Sequence, residues 1–337
     1  MNLKNVVKSL INKRYFRFFQ KINMYRVTYN AFRYDALRYI SHSNSFLKFD
    51  TEDKLLGQII AEYHAIEKGI CMPQRRMGFG KQVINNLLDH CMIYLNRYPL
   101  YHDQIKHAVA VILEYQRIHH EVGFKLDDDL EEKMSQLKRQ INSAPARQLT
   151  STKEAFFSER YSSFDKFSES RHSVRNFTSE PVSLEKIKQS VSLARNSPSS
   201  CNRQPSKVYI VQNAQLRRQV LELQNGNRGF GHLATTVLVV TENLSYFLSI
   251  NERNEAYING GMFAMNLLYA LHFNEIGACP LNWCAEKQND ISLRKLLDIP
   301  DNEIIIMLIA CGQVPDTFML ASSPRKSVDE IIRIYGE

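Results

Sequence analysis

The run from Glu303 to Cys311, EIIIMLIAC, is the most hydrophobic in the chain. It is apolar without a break from Ile304 to Cys311. That is strand length, and far short of the roughly eighteen residues a bilayer span needs. A strand that does not alternate apolar with polar residues has no face to give to water, so this one should be central and covered on both sides. The elements before it supply the cover. A helix is expected over Ser183–Arg195, with Ser183 as a plausible N-cap, then strands over Lys207–Gln212 and Thr235–Thr241. A long apolar helix follows over Asn254–Phe273, interrupted by Gly260-Gly261. The full order is helix, strand, helix, strand, long helix, short strand, helix, strand, which describes a sheet layered with helices.

The first part of the chain has a different texture. Leu55, Ile59, Ile60 and Tyr63 recur at helical spacing, and the pattern continues through Lys81–Arg97, His102–Val122 and Asp127–Gln140. A break falls at Gly69–Gly80, with three Gly and one Pro. The polar stretch Ser143–Ser163 reads as a linker. The domain boundaries expected are a basic amphipathic segment over 1–50, a helical domain over 51–150, a linker over 151–167 and the sheet-bearing domain over 168–337. The fold class is α+β, a mixed sheet flanked by helices and preceded by an all-helical domain.

Charge is unevenly placed. Residues 1–50 hold ten Lys/Arg and two Asp/Glu; the remaining 33 of each sign cancel, so the whole net charge of +8 belongs to the first fifty residues. A charge-neutral body without a basic aromatic platform argues against nucleic acid as a partner. The basic segment suits an anionic membrane surface or an acidic partner, or is a solvated helical face. Val6, Leu10, Tyr15, Phe18 and Phe19 fall near one helical face, as in an amphipathic surface helix or a helix packed on the rest of the protein. Bases interrupt the start too often for a secretion signal. The six cysteines form no C-x-x-C pair and no zinc-ligand spacing. They fit a reducing compartment, so a cytoplasmic protein is expected, peripheral at the inner membrane face if residues 1–50 bind lipid. No metal site is expected.

Three segments carry candidate chemistry. In Arg171-His172-Ser173-Val174-Arg175-Asn176-Phe177, two Arg and a Ser alternate, so an extended backbone would aim all three one way. That is a workable phosphate cradle, although the same pattern also describes many surface loops. Asn196–Pro205 holds Pro198, Ser199, Ser200, Asn202, Gln204 and Pro205, a rigid loop dense in donors and acceptors, or an ordinary Pro/Ser turn. Gly277–Trp283 follows the long helix and contains Pro280, Leu281, Asn282 and the only Trp of the chain.

Taken in order, R-x-S-x-R-x-F, P-S-S-x-N-x-Q-P, a long helix ending in G-x-C-P-L and a hydrophobic strand ending in Gly resemble the nitroreductase family of flavoproteins. The resemblance runs from Ser168 to the C-terminus. It implies an FMN-dependent oxidoreductase that takes a hydride from transient NAD(P)H onto flavin N5 and passes it to a small-molecule acceptor with ping-pong kinetics. It implies a homodimer. Arg171 and Ser173, with His172 beside them, would hold the phosphate and ribityl chain. Arg175 would face the pyrimidine edge. Pro198, Ser199, Ser200 and Asn202 would be lent by the second subunit, with Gln204 in the same motif. Pro280, Leu281 and Asn282 would lie alongside the reactive edge, and Arg325 and Lys326 would return to the phosphate. Asn282 stands where many members have an acidic residue followed by glycine, so substrate class does not carry over. The absence of G-x-G-x-x-G fits a visiting nicotinamide.

In the helical half, His64, Glu67 and Lys68 lie at i, i+3 and i+4 on one face. The stretch His64–Gly69, with Arg76 and Gly78-Phe79-Gly80, resembles more loosely nitroreductase-like proteins associated with bacterial surface-polysaccharide synthesis. Two readings stand: a substrate-facing edge with His64 or Glu67 as proton donor, or a helix stopped at Gly69 with a local ion pair. Rival functions are a flavin dehydrogenase or oxidase reoxidised by O₂, and a membrane-surface binding protein with a degenerate flavin domain.

Overall fold

The computed structural model describes residues 13–98, 102–141 and 143–336. Val6 and Leu10 lie outside the described residues. The chain divides into two compact units, one of residues up to Phe49 with Phe247–Glu255, the other of Asp50–Tyr246 with Ala256–Glu337. The first is dominated by α1 (Lys13–His42), a helix of 30 residues.

The larger unit opens with four helices: α2 (Glu52–Ile70), α3 (Lys81–Arg97), α4 (Asp103–Glu121) and α5 (Asp128–Gln140). Their apolar stripes close on one another, and Leu55, Ile59, Ile84, Leu87, Ile105 and Ile112 are fully buried. The glycine break has a packing cause. A Cβ on Gly69 would lie 2.1 Å from the Phe79 ring. Phe79 seats there and stacks edge-on to Tyr115, whose hydroxyl donates to the Phe79 carbonyl at 2.8 Å. Gly78 and Gly80 take left-handed φ of 71° and 63° to turn the chain around that ring. Gly69 therefore does not stop α2, which runs on to Ile70.

The stretch expected as a linker is structured. Leu149–Thr152 is β1, paired antiparallel with β6 (Thr317–Leu320), and α6 (Lys153–Phe157) follows. Phe156 and Phe157 enter the hydrophobic core. β1 reads as polar because its own residues lie largely exposed, while its partner β6 buries Phe318 and Leu320. Helices α7 (Phe164–Ser170) and α8 (Leu184–Ala194) lead into the main sheet.

That sheet contains β2 (Ser206–Val211), β3 (Thr236–Asn243), β4 (Gly277–Asn282) and β5 (Glu303–Gly312), in the order β2-β3-β5-β4. Between the strands run α9 (Ala214–Glu222), α10 (Glu255–Phe273) and α11 (Lys287–Leu297); the short α12 (Val328–Ile331) comes last. Every described pairing is antiparallel, where a mixed sheet is expected from sequence. The apolar run Ile304–Cys311 is interior, as its composition requires. Its residues alternate between two cores: Leu308 and Ala310 join Val237, Val239 and Phe177 on one face, and Ile309 and Cys311 join Leu238, Val240 and Leu267 of α10 on the other.

Two glycines set distances in this layer. A Cβ at Gly260 would lie 2.6 Å from Ile306 and 2.9 Å from Glu242, so α10 crosses the sheet at contact range without a break. A Cβ at Gly312 would lie 2.7 Å from Phe177. Phe177 and Val174 are thereby fixed against the end of β5, and the Val174 amide donates to the Ala278 carbonyl of β4 at 3.0 Å. Phe177→Ala should destabilise the protein by about 3–5 kcal/mol in denaturant unfolding, because it empties a buried aromatic seat that nothing adjacent can fill. A loss within experimental error would show that this seat collapses freely.

Candidate functional site

With Val174 turned into the core, the residues on either side of it in the extended segment point the other way. Arg171, Ser173 and Arg175 all line one cavity of about 620 Å³, together with His172. Arg325 reaches it from the segment after β6, His64 from α2, and Met265 and Tyr269 from α10. This volume is in the range of small-molecule sites.

The cavity is short of counter-charge. Arg171 and Arg175 each carry a buried Nε with no hydrogen-bond partner among the described residues. Burial works against the charge on Arg171, the nearby Arg325 adds to that, and its position falls below the usual guanidinium value. Lys68 is pushed down in the same way, by burial and by Arg175. Glu169 lines the same cavity but is exposed. Guanidinium groups stay protonated in proteins. Converging cations with unused donors and a nearby hydroxyl, Ser173, describe a site shaped for an anion.

Glu67 has no exposed surface. It is nevertheless held ionised. Burial alone would raise its pKa, but hydrogen bonds from His107, His64 and Ser322 outweigh this and keep it well below the usual carboxylate range. His107 Nε2 lies 2.8 Å from Oε1, His64 Nδ1 3.2 Å from Oε2, Ser322 Oγ 2.8 Å from Oε1 and the Ser323 amide 3.2 Å from Oε1. Since a carboxylate only accepts, both histidines must present N–H to it. His64 then keeps Nε2 free of that bond while it lines the cavity. Glu67 itself does not line the cavity, and a carboxyl held ionised is no proton donor; of the two candidates on α2, only His64 faces the space. The Gln148 Oε1 accepts from the Ser322 amide at 3.0 Å, adding a second grip on the segment that carries Arg325.

The other candidates fall elsewhere. Lys326 is exposed and does not line the cavity. Leu281 sits in the hydrophobic core, while Pro280 and Asn282 alternate to the other face of β4, Asn282 exposed. Trp283 donates to Asp290 at 2.9 Å and packs on the core. None of Pro198, Ser199, Ser200, Asn202 and Gln204 lines the cavity of its own chain. Their loop is held in shape: Gln204 N donates to Ser199 Oγ at 3.0 Å, and the Ser200 amide to Asn259 at 3.4 Å. Cys201, Asn202 and Gln204 all take φ of 53°, a costly conformation for residues with a Cβ. Ser322, Ser323 and His107 are contributors that sequence reasoning did not single out. The adjacency of the serines to Pro324-Arg325 was their only signal.

The pH dependence follows from Glu67. A depressed pKa contributes stability that is complete above the ordinary value of 4.5 and is lost as pH falls below it. Glu67→Ala should cost about 3 kcal/mol near neutral pH, as removal of one member of a buried charged cluster does. Glu67→Gln should flatten the stability profile below pH 4.5. A variant with the wild-type acid limb would place the acid-labile group elsewhere.

Comparison with known proteins agrees with this architecture. The family model described as the nitroreductase family matches residues 169–226 and 221–313. A nitroreductase family protein from Streptococcus pneumoniae is 20% identical, with a TM-score of 0.46, over 51% of this chain and 100% of that one. Another from Clostridium novyi is 17% identical, with a TM-score of 0.41, over 50% of this chain and 90% of that one. Arg325 and His64, which line the cavity, lie outside the matched residues. Residues 169–313 are thus the part of the chain that is similar to the nitroreductase family.

Proposed function

We propose that the protein is an FMN-dependent oxidoreductase acting as a homodimer. The observation that carries this reading is the convergence of Arg171, Ser173, Arg175 and Arg325 on one cavity, with two buried guanidinium Nε atoms left without partners. That donor set fits a phosphate monoester joined to a ring system whose pyrimidine edge accepts hydrogen bonds. When bound, FMN supplies hydride chemistry between NAD(P)H and a small-molecule acceptor.

The chain's own residues then divide the work. Arg171, Ser173 and Arg325 bind the phosphate and ribityl end, and Arg175 supplies positive charge to the ring. His64, oriented by Glu67, holds an imidazole nitrogen toward the cavity, where it can give or take a proton at the acceptor. Met265 and Tyr269 provide apolar wall.

A second copy is supported by two features. The strained Pro198–Gln204 loop carries polar groups that its own cavity does not use. The exposed residues Ile258, Met262 and Met265 of α10 form an apolar stripe at helical spacing that runs up to the cavity wall.

The purified protein should be yellow, release FMN on denaturation and bleach with NADH or NADPH. Arg171→Ala should weaken FMN binding by roughly tenfold to a hundredfold, the value of a charge-assisted hydrogen bond. Met262→Asp should lower the native mass from dimer to monomer and reduce flavin occupancy with it. A colourless protein that takes up no added FMN would sink the reading. A monomer with full flavin content would remove the dimer from it.

A further inference from the structure

The first unit contains a surface that the flavin reading leaves unused. α1 docks through one side only. Thr28, Ala31 and Asp35 are the partly shielded positions of its middle, and Asp35 is gripped by Arg253, whose Nη2 donates at 2.8 Å. On a different face, Phe18, Ile22, Tyr25, Tyr29, Phe32 and Ile40 are each 48–68% exposed. Their spacing aligns them along the helix axis. From Phe18 to Ile40 that stripe extends for about 33 Å at 1.5 Å per residue. Monomeric proteins rarely leave so long an apolar surface uncovered.

The charges beside the stripe select what covers it. Arg26 and Arg33 run along one edge and Lys21 along the other. α1 holds seven Lys/Arg and one acid, Asp35, which Arg253 already engages. A second α1 laid on this face would bring Arg26 and Arg33 against bases with no acid to answer them. A surface with anionic headgroups above hydrocarbon answers both features at once. Tyrosine and phenylalanine rings suit the headgroup boundary, and long basic side chains reach up from its edges. No described helix is long and apolar enough to cross a membrane, so the geometry is that of a helix lying in the interface.

We infer that the exposed aromatic stripe of α1 is an interfacial membrane-binding helix selective for anionic lipid, which brings the oxidoreductase to a bilayer surface. The inference stands apart from the flavin site, since it uses no residue of that cavity.

The test is co-sedimentation of the full chain with vesicles of phosphatidylcholine alone or of phosphatidylcholine with phosphatidylserine. Binding is expected only to the mixed vesicles. It should weaken when salt is raised from about 0.1 M to about 1 M, which shortens the Debye length from roughly 10 Å to 3 Å. The combined variant Tyr25→Ser, Tyr29→Ser, Phe32→Ser should lower the bound fraction about tenfold at unchanged helix content. Arg26→Glu with Arg33→Glu should abolish the preference for phosphatidylserine while leaving the apolar stripe intact. Equal binding to both vesicles, or none, overturns the inference whatever the variants do. So does a stripe variant that changes native mass and keeps vesicle binding, because the occupant would then be a second copy.

Discussion

A carboxylate cut off from water must be given hydrogen bonds in its place, or it costs several kcal/mol to bury. Glu67 receives them from three parts of the chain that are remote in sequence: α2 through His64, α4 through His107 and the segment after β6 through Ser322 and Ser323. That arrangement ties the helices to the residues that follow the sheet. Without Glu67 the segment carrying Arg325 loses its hold on α2, and His64 loses the partner that orients its ring. One buried charge thus sets both the segment that carries Arg325 and the His64 imidazole.

The rest of the anion cradle depends on packing. Arg171, Ser173 and Arg175 face the cavity because Val174 and Phe177 cannot leave the core. Phe177 is pinned there by the absence of a side chain at Gly312. Sheet register and site geometry are therefore a single constraint. The strand that reads as central in the sequence ends in the glycine that positions the cavity-lining residues. Burying guanidinium groups beside one another with unused donors is unfavourable in the protein alone, and a bound anion removes the penalty.

Legibility differed by element for physical reasons. The helices over 81–97 and 255–273 were legible from their apolar residues, and β3 and β5 from unbroken apolar runs that are buried on both faces. The stretch around β1 did not. Its strand is polar and exposed, and only Phe156 and Phe157 hinted that it belongs to the core. The alternation of Arg171, Ser173 and Arg175 was readable as a shared direction. What lay opposite them was not, since nothing local announces that Ser322 will meet Glu67 across 255 positions. Gly69 lies one residue before the end of its helix, as one of the two sequence readings had it, but its close approach to the Phe79 ring was not legible, because a glycine needed for a ring's approach looks the same in sequence as one needed for a left-handed turn.

The two walls of the cavity have different origins, and this bears on what the enzyme accepts. The wall formed by Arg171, Ser173 and Arg175 lies within the residues that match the nitroreductase family. The wall formed by His64 and Arg325 does not, and Glu67 ties its two halves to each other. Arg171, Ser173 and Arg175, proposed to hold the cofactor, lie in the matched part, and the Glu67 cluster brings Arg325 to them from outside it. In the proposed function, His64 is the residue through which the helical region would act on the acceptor.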